Sequence, residues 1–252
     1  MTVASIKRWA LGCSIKDVDK MQHYVNEFKV FELDMTKFPK RGLLDKVDKI
    51  ESAGNQLGAI HLPYHDSELD YGLSFVGEIA KFSVRVLVFH LCYPKTELEL
   101  EQQLCSVAEV AERHAVHVAI ENLADRKNKS HGFMAAKDPI ALAHAVKETG
   151  SELLGITIDT SHAICNQVRW WGDSAVAEML LHVHLSGGAW GVDAHTSVET
   201  KPISDQLGYL WTLLSDCPFS GMVSLENNMF ETALESLRYL RSMPEAQSTL
   251  KM

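Results

Sequence analysis

Eight short apolar, β-branched runs recur along this chain about every 30 residues, and an amphipathic stretch follows most of them. In order they read WALGCSI, VFELDM, LGAIHLPY, VRVLVFHL, VHVAIENL, LLGITIDTSH, LLHVHLSG and GMVSLEN. The intervening stretches DVDKMQHYVNEF, LLDKVDKIESAG, ELEQQLCSVAEVAERHA, PIALAHAVKETG, QLGYLWTLL and ETALESLRYLRS carry apolar residues at helical spacing. Gly54 and Gly150 stand where C-terminal caps are expected. Strands alternating with helices imply βαβ units and a parallel sheet, and eight such units in 252 residues close best as a barrel. No linker or composition shift divides the chain. Residues 1–252 are therefore expected to form one α/β domain, a (β/α)8 TIM barrel, rather than a doubly wound open sheet.

Composition narrows the setting. At 46% hydrophobic and 23% charged the chain is ordinary for a globular protein. The start MTVASIKRWALGCSI lacks an apolar stretch long enough for a signal peptide, and no later run reaches the ~18 apolar residues of a membrane helix. A cytoplasmic location without membrane contact is the expectation, and nothing calls for an obligate protein partner. Cys13, Cys92, Cys105, Cys165 and Cys217 are odd in number, widely spaced and free of CxxC pairs, which predicts reduced thiols and no cysteine-ligated zinc. A net charge of −9 argues against a broad basic surface for nucleic acid but allows a local basic patch.

In barrels of this kind the active site forms at the C-terminal ends of the strands, so position within each run is informative. Run three ends in His61 with Tyr64 and His65 beyond, run four in His90, and run five in Glu121 and Asn122. Run six ends in Asp159 with His162 three residues on. Run seven ends in His182 and His184 with Asp193 and His195 in its loop, and run eight ends in Glu226. A single histidine at a strand end is ordinarily capped or solvated. Six consecutive strands delivering acids and imidazoles to one rim are different, because converging carboxylates repel one another and resist desolvation unless cations compensate them. A metal cluster supplies that compensation. His184 is expected to be a ligand and His182, on the same face but deeper, packing or support. His23, His114, His117 and His144 fall on helices or at a strand start and are expected to be structural.

As a set these residues resemble the xylose isomerase-like TIM-barrel superfamily (AP endonuclease family 2), which holds endonuclease IV-type enzymes and many sugar isomerases and epimerases. The resemblance runs from about Ala59 to Asn227 and rests on HLPY, FH, IEN, DTSH, HL, DAH and LEN in that order. It implies that Glu121, Asp159, His184 and Glu226 match the single-metal site of the isomerases. With His61, His90, His162, Asp193 and His195 they complete a set like the three-metal site of endonuclease IV. His61, His90 and Glu121 would then hold one ion, with Glu121 bridging to a second on Asp159, His184 and Glu226, and His162, Asp193 and His195 would hold a third. Tyr64 matches a tyrosine that contacts DNA at the lesion. Ser186, Gly187 and Gly188 depart from the acidic stretch that usually follows the strand-seven histidine. HLSGG…DAH is also similar to the multi-iron oxidases of peptide natural-product biosynthesis, which carry asparagine where His162 stands.

Three divalent ions against the four carboxylates of this set leave about two net positive charges, which suits a phosphate group; one ion against three of the acids leaves a negative site better suited to a neutral sugar. Lys37, Lys40 and Arg41 after run two, Arg126, Lys127 and Lys129 after run five, and Arg169 and Lys201 further on agree with an anionic substrate. With His and carboxylate donors, Zn²⁺ is the expected ion and Mn²⁺ or Fe²⁺ fits the same donors, two or three per chain. The expected activity is a metal-dependent phosphoester hydrolase acting on abasic DNA or a sugar phosphate. Glu121 and Glu226 would be its catalytic carboxylates and Tyr64, Arg126 and Lys127 its substrate contacts. A single-metal sugar isomerase or epimerase is the alternative, followed by a multi-iron oxidase or a non-catalytic binding barrel.

Overall fold

The eight runs form eight parallel strands closed into a barrel in the computed structural model, which describes residues 9–16, 23–36, 43–63, 68–82, 84–125 and 133–251. The strands are β1 (Trp9–Ile15), β2 (Val30–Asp34), β3 (Gln56–His61), β4 (Val86–Phe89), β5 (Val118–Glu121), β6 (Leu154–Asp159) and β7 (Leu180–Leu185), with β10 (Met222–Leu225) returning beside β1. Between β7 and β10 lies an antiparallel hairpin, β8 (Gly187–Ala189) and β9 (Val192–Thr196), and a short β11 (Leu250–Lys251) pairs with the start of β1. The expected loop carrying Asp193 and His195 is thus a folded hairpin.

Helices pack outside the strands where the periodicity places them: α1 (Leu43–Ser52), α2 (Leu69–Leu73), α3 (Val76–Ile79), α4 (Glu97–His114), α5 (Pro139–Glu148), α6 (Thr160–Asn166), α7 (Ser174–Met179), α8 (Ile203–Asp216), α9 (Phe230–Arg241) and α10 (Pro244–Thr249). Their ends follow local chemistry. Thr96 Oγ1 accepts from Glu99 N at 3.1 Å to start α4, and Asp138 Oδ1 accepts from Ile140 N at 2.9 Å, with Pro139 at the first helical position, to start α5. Gly54 and Gly150 take φ of +74° and +71° just past α1 and α5, the left-handed geometry that ends a helix cheaply in glycine. Within the stretch 17–28, the described part from His23 is a single turn closed on Tyr24 O. Among the described residues no helix is long and apolar enough to cross a membrane, and all five cysteines are free thiols.

Strand alternation sorts the barrel into an outer apolar face and an interior that is polar toward the strands' C-terminal ends, with Val86, Val88, Ala119 and Leu181 forming a separate buried apolar cluster. Phe31, Leu33, Ile60, Leu87, Ile120, Ile158, Val183 and Val223 join the buried cluster shared with the helices. The registers set Ser14 beside Glu32, Asp34 beside His61, Asp159 beside His184, and His184 beside Ser224. The interior therefore has an upper layer of titratable residues at the strands' C-terminal ends, over a layer holding Ser14, Glu32, Thr157, His182 and Ser224. All of these lower-layer side chains are buried.

Candidate metal centre

All nine residues expected to form a ligand set converge on the barrel mouth. His90 Nε2 lies 2.9 Å and His61 Nε2 3.4 Å from Glu121 Oε2. His184 Nδ1 lies 3.0 Å from Glu226 Oε2, 3.3 Å from Glu121 Oε2 and 3.8 Å from Asp159 Oδ2, and one donor atom from each of these four residues lies within 4.8 Å of the others. Beside the same Asp159 oxygen, His162 Nε2 stands 3.7 Å from Asp159 Oδ2 and 3.5 Å from Asp193 Oδ1, which is 2.8 Å from His195 Nε2. Tyr64, Arg126 and Lys127, with His65, Lys37, Lys40, Arg41, Lys129 and His131, lie outside the described residues. His114, His117 and His144 lie away from the cluster. His144 pairs at the surface with Asp173 at 3.3 Å.

Hydrogen bonds around the cluster fix which imidazole nitrogen faces it. A carbonyl only accepts, so His162 Nδ1, 2.7 Å from Asn122 O, carries a proton and leaves Nε2 for the cluster. His195 is set the same way by Glu226 O at 3.0 Å from its Nδ1. His184 Nε2 is held at 2.9 and 3.1 Å by the two oxygens of Glu32, which turns Nδ1 toward Glu121 and Glu226. Three imidazole nitrogens thus point at carboxylate oxygens, an arrangement that calls for a positive charge between each pair, a proton or a metal ion. Glu121 Oε2, Asp159 Oδ2, His184 Nδ1, Glu226 Oε2 and both nitrogens of His61 are buried without a completed hydrogen bond. Such orphans are costly in a dry interior, and divalent cations would satisfy the carboxylate oxygens, His184 Nδ1 and one nitrogen of His61. The donor set fits a divalent-metal centre.

Electrostatics agree. Burial opposes charging His184 and His162, yet the facing carboxylates, Glu32 and Glu121 for the first and Asp159 for the second, draw both imidazoles well above their usual range. His195 rises to about 9 against the same burial, through Glu226 and Asp159. Glu121 and Glu226 stay well below the usual carboxylate range although burial opposes it, because of His90 and His184 for Glu121, and His184 and His195 for Glu226. Asp159 is pushed up to about 6 by burial, with Glu226 and Glu121 adding to the rise. The mouth holds more negative charge than its imidazoles neutralise.

Sequence reading missed the supports. Glu32, fully buried on β2, accepts from His182 Nε2 at 2.7 Å as well as from His184. His182 sits one layer below the rim, as the sequence predicts, and both Glu32 oxygens are engaged by the Nε2 atoms of His182 and His184. Asp34, 3.6 Å from Lys16 Nζ, joins the rim beside His61. These two acids correct the charge arithmetic: six carboxylates line the mouth and its underlayer, so three divalent ions would leave the site about neutral instead of positive. Asn122 locks β5 to β6 by accepting from Asp159 N at 2.7 Å and donating to Asp159 O at 3.1 Å. Ser161 Oγ accepts from the backbone N–H groups of Ala194 and His195 at 3.3 Å and so ties the hairpin to α6. His195 adopts φ of +45°, a strained conformation for a non-glycine residue, held by these bonds. The glycines after His184 make this fold-back possible. A Cβ on Gly187 would lie 2.4 Å from Thr196 Oγ1, and one on Gly188 3.1 Å from Ser161 Cα.

Solved structures share this architecture. A D-tagatose 3-epimerase-like protein superposes with a TM-score of 0.71 at 20% identity, covering 92% of this chain and 96% of that one. An AP endonuclease, family 2, from Brucella melitensis gives 0.70 at 14% identity over 94% and 98%. A xylose isomerase-like TIM barrel protein from Mycobacterium smegmatis in complex with magnesium gives 0.66 at 9% identity over 98% of each. No curated protein matches the chain by sequence. Residues 80–243 match the family model of xylose isomerase-like TIM barrels, and the chain belongs to that family.

Proposed function

We propose that the chain is a divalent-metal-dependent phosphoester hydrolase with a multinuclear centre. The observation that carries this reading is the extension of the donor set beyond one ion. Around the core of Glu121, Asp159, His184 and Glu226, His61 and His90 stand 3.4 and 2.9 Å from Glu121 Oε2, the oxygen that also faces His184, while His162 stands 3.7 Å from Asp159 Oδ2 and leads on to Asp193 and His195. His61, His90 and Glu121 would hold one ion, Glu121 with Asp159, His184 and Glu226 a second, and His162, Asp193 and His195 a third. Zn²⁺ is the ion these donors suit first, with Mn²⁺ or Fe²⁺ next.

When bound, such ions supply positive charge that polarises a phosphoryl group and acidifies water at neutral pH. The chain's own residues do the rest. Glu226, at the open end of β10, orients the attacking water and accepts its proton at Oε1, the oxygen turned away from His184. Glu121 stays ionised in the interior and holds the centre together. Glu32 and Asn122 fix the imidazoles and Asp159 so that the donor geometry is set before substrate arrives. Tyr64, Arg126 and Lys127 are proposed to contact the substrate.

A sugar isomerase or epimerase is the second reading. It is favoured by Glu121 and Glu226 flanking His184 Nδ1 at 3.3 and 3.0 Å, two carboxylates around a complete single-ion site that could move protons at carbon. It leaves His61, His90, His162, Asp193 and His195 without a chemical task. The test compares an abasic-site duplex, a panel of sugar phosphates and free ketoses. Cleavage of the abasic duplex, lost on chelation and restored by zinc or manganese, is the expected result. Epimerisation of a free ketose by protein holding one ion, with abasic DNA untouched, would overturn the hydrolase reading.

A further inference from the structure

Beside Glu226 the rim opens into a cavity of about 430 Å³ between the ends of β1 and β10, lined by Ser14, Lys16, Tyr24, Asn227, Asn228 and Phe230 among others. Its size is that of a small-molecule site. Lys16 follows Ser14 on the inward face of β1 by strand alternation, and its ammonium stands 3.9 Å from Glu226 Oε1 and 3.6 Å from Asp34 Oδ2. Among the described residues no other lysine or arginine pairs with a carboxylate of the centre. Lys16 is ion-paired to both acids at separations longer than an ideal hydrogen bond, and an ammonium with three N–H groups keeps at least one for a further acceptor. Divalent ions on Glu226 would weaken that carboxylate's hold on Lys16 further and leave a cation facing the cavity.

The cavity walls are two-sided. Tyr24 and Phe230 meet edge to face at 4.4 Å and give an apolar side. The Ser14 hydroxyl, in a residue only 8% exposed, has no hydrogen-bond partner. Asn227 and Asn228 donate to Thr196 O at 2.7 Å and Ala194 O at 3.1 Å, which fixes the opposite wall to the hairpin carrying Asp193 and His195. One aromatic wall, the Asn228 amide, the Ser14 hydroxyl and one ammonium at the metal-facing end match a sugar ring bearing a phosphate. A sugar's C–H face packs on aromatic carbon, its hydroxyls need donors and acceptors, and its phosphate needs a cation.

We propose that Lys16 binds a phosphate oxygen of the substrate and that this cavity holds the sugar attached to it. The assignment rests on the phosphoester reading above and places the sugar on the β1–β10 side of the centre.

The test uses the full chain loaded with zinc or manganese and freed of excess metal. Binding of inorganic phosphate, a pentose phosphate and the free pentose is measured by calorimetry, beside metal content and hydrolysis of bis(p-nitrophenyl) phosphate. Lys16→Met should weaken inorganic phosphate and pentose phosphate about tenfold, the worth of one charge-assisted hydrogen bond, at unchanged metal content, and Lys16→Arg should restore most of it. Ser14→Ala should weaken the pentose phosphate and leave inorganic phosphate unaffected. Lys16→Met that binds phosphate like the wild type while still hydrolysing the diester overturns the proposal and spares the phosphoester reading. Lys16→Met that changes metal content but not phosphate affinity also overturns it, because Lys16 is then only a counter-ion of the acids. Wild-type protein that binds neither phosphate nor pentose phosphate and leaves the diester intact overturns both.

Discussion

Replacing Glu32 by glutamine changes a single proton acceptor one layer below the mouth, yet it should cost the centre most of its affinity for metal. The carboxylate serves two imidazoles at once, Oε2 accepting from His182 Nε2 at 2.7 Å and Oε1 from His184 Nε2 at 2.9 Å. Burial works against ionising it, but His184 and His182 outweigh burial and keep it charged throughout the neutral range. Glutamine offers one oxygen and one NH₂. If the oxygen serves His182, the NH₂ faces His184 Nε2, which must then accept and so pass its proton to Nδ1, the atom aimed at Glu121 and Glu226. If the oxygen serves His184, the mismatch falls on His182 and the side chain must twist between the two. Loss of an outer hydrogen bond to a ligating histidine typically costs 10–100-fold in metal affinity, about 1.4–2.7 kcal/mol. The metal-free fold should also lose on the order of 1–3 kcal/mol, since a buried donor is left poorly paired. Competition with a chromophoric chelator reads the first and thermal melting of chelated protein the second. Glu32→Asp, which keeps the charge but shortens the reach, should fall between and guards against a variant that does not fold. Folded Glu32→Gln protein with wild-type metal affinity would refute the reasoning, because His184 would then owe its orientation to something other than Glu32.

Glu121→Gln should abolish activity and lower metal content, since this carboxylate is proposed to bridge two ions, whereas His144→Gln should change neither because its pair with Asp173 lies at the surface; turnover assays with elemental analysis check both. Gly187→Ala should displace the hairpin, because its Cβ would meet Ser197 O at 2.5 Å and backbone cannot yield cheaply. Overpacking of this kind costs about 1–3 kcal/mol, and the expected signature is lower thermal stability with loss of the ion proposed for His162, Asp193 and His195. Chelation should lower the Tm of the wild type and metal should restore it, since ions that bind only the folded state stabilise it by mass action, and a Tm indifferent to chelator would argue against resident metal.

The barrel was legible because its signal is periodic. Each strand is a short β-branched run and most are followed by an amphipathic helix, and the rule that function sits at the strands' C-terminal ends turned end residues such as His61, Glu121 and Asp159 into candidates. Glu32 and Asp34 escaped because VFELDM reads simply as a strand. The clue was its alternation, with Phe31 and Leu33 facing the helices and Glu32 and Asp34 therefore facing the axis, but nothing local marks an acid whose partners, His182 and His184, lie 150 and 152 residues away. Lys16 escaped for the opposite reason, because a lysine after a strand looks like any solvated loop cation. The hairpin of β8 and β9 was read as a loop since two glycines and a tryptophan break its apolar pattern. In the fold those glycines are what let β8 lie against β9 and α6.

The number of ions bound decides the central claim. Protein purified without chelator, measured by elemental analysis and by anomalous scattering at the metal edges, should hold more than one divalent ion per chain, with one beside His61, His90 and Glu121. A single ion on Glu121, Asp159, His184 and Glu226, with His61 and His90 bare in metal-replete protein, would contradict the account and move the assignment to the isomerases.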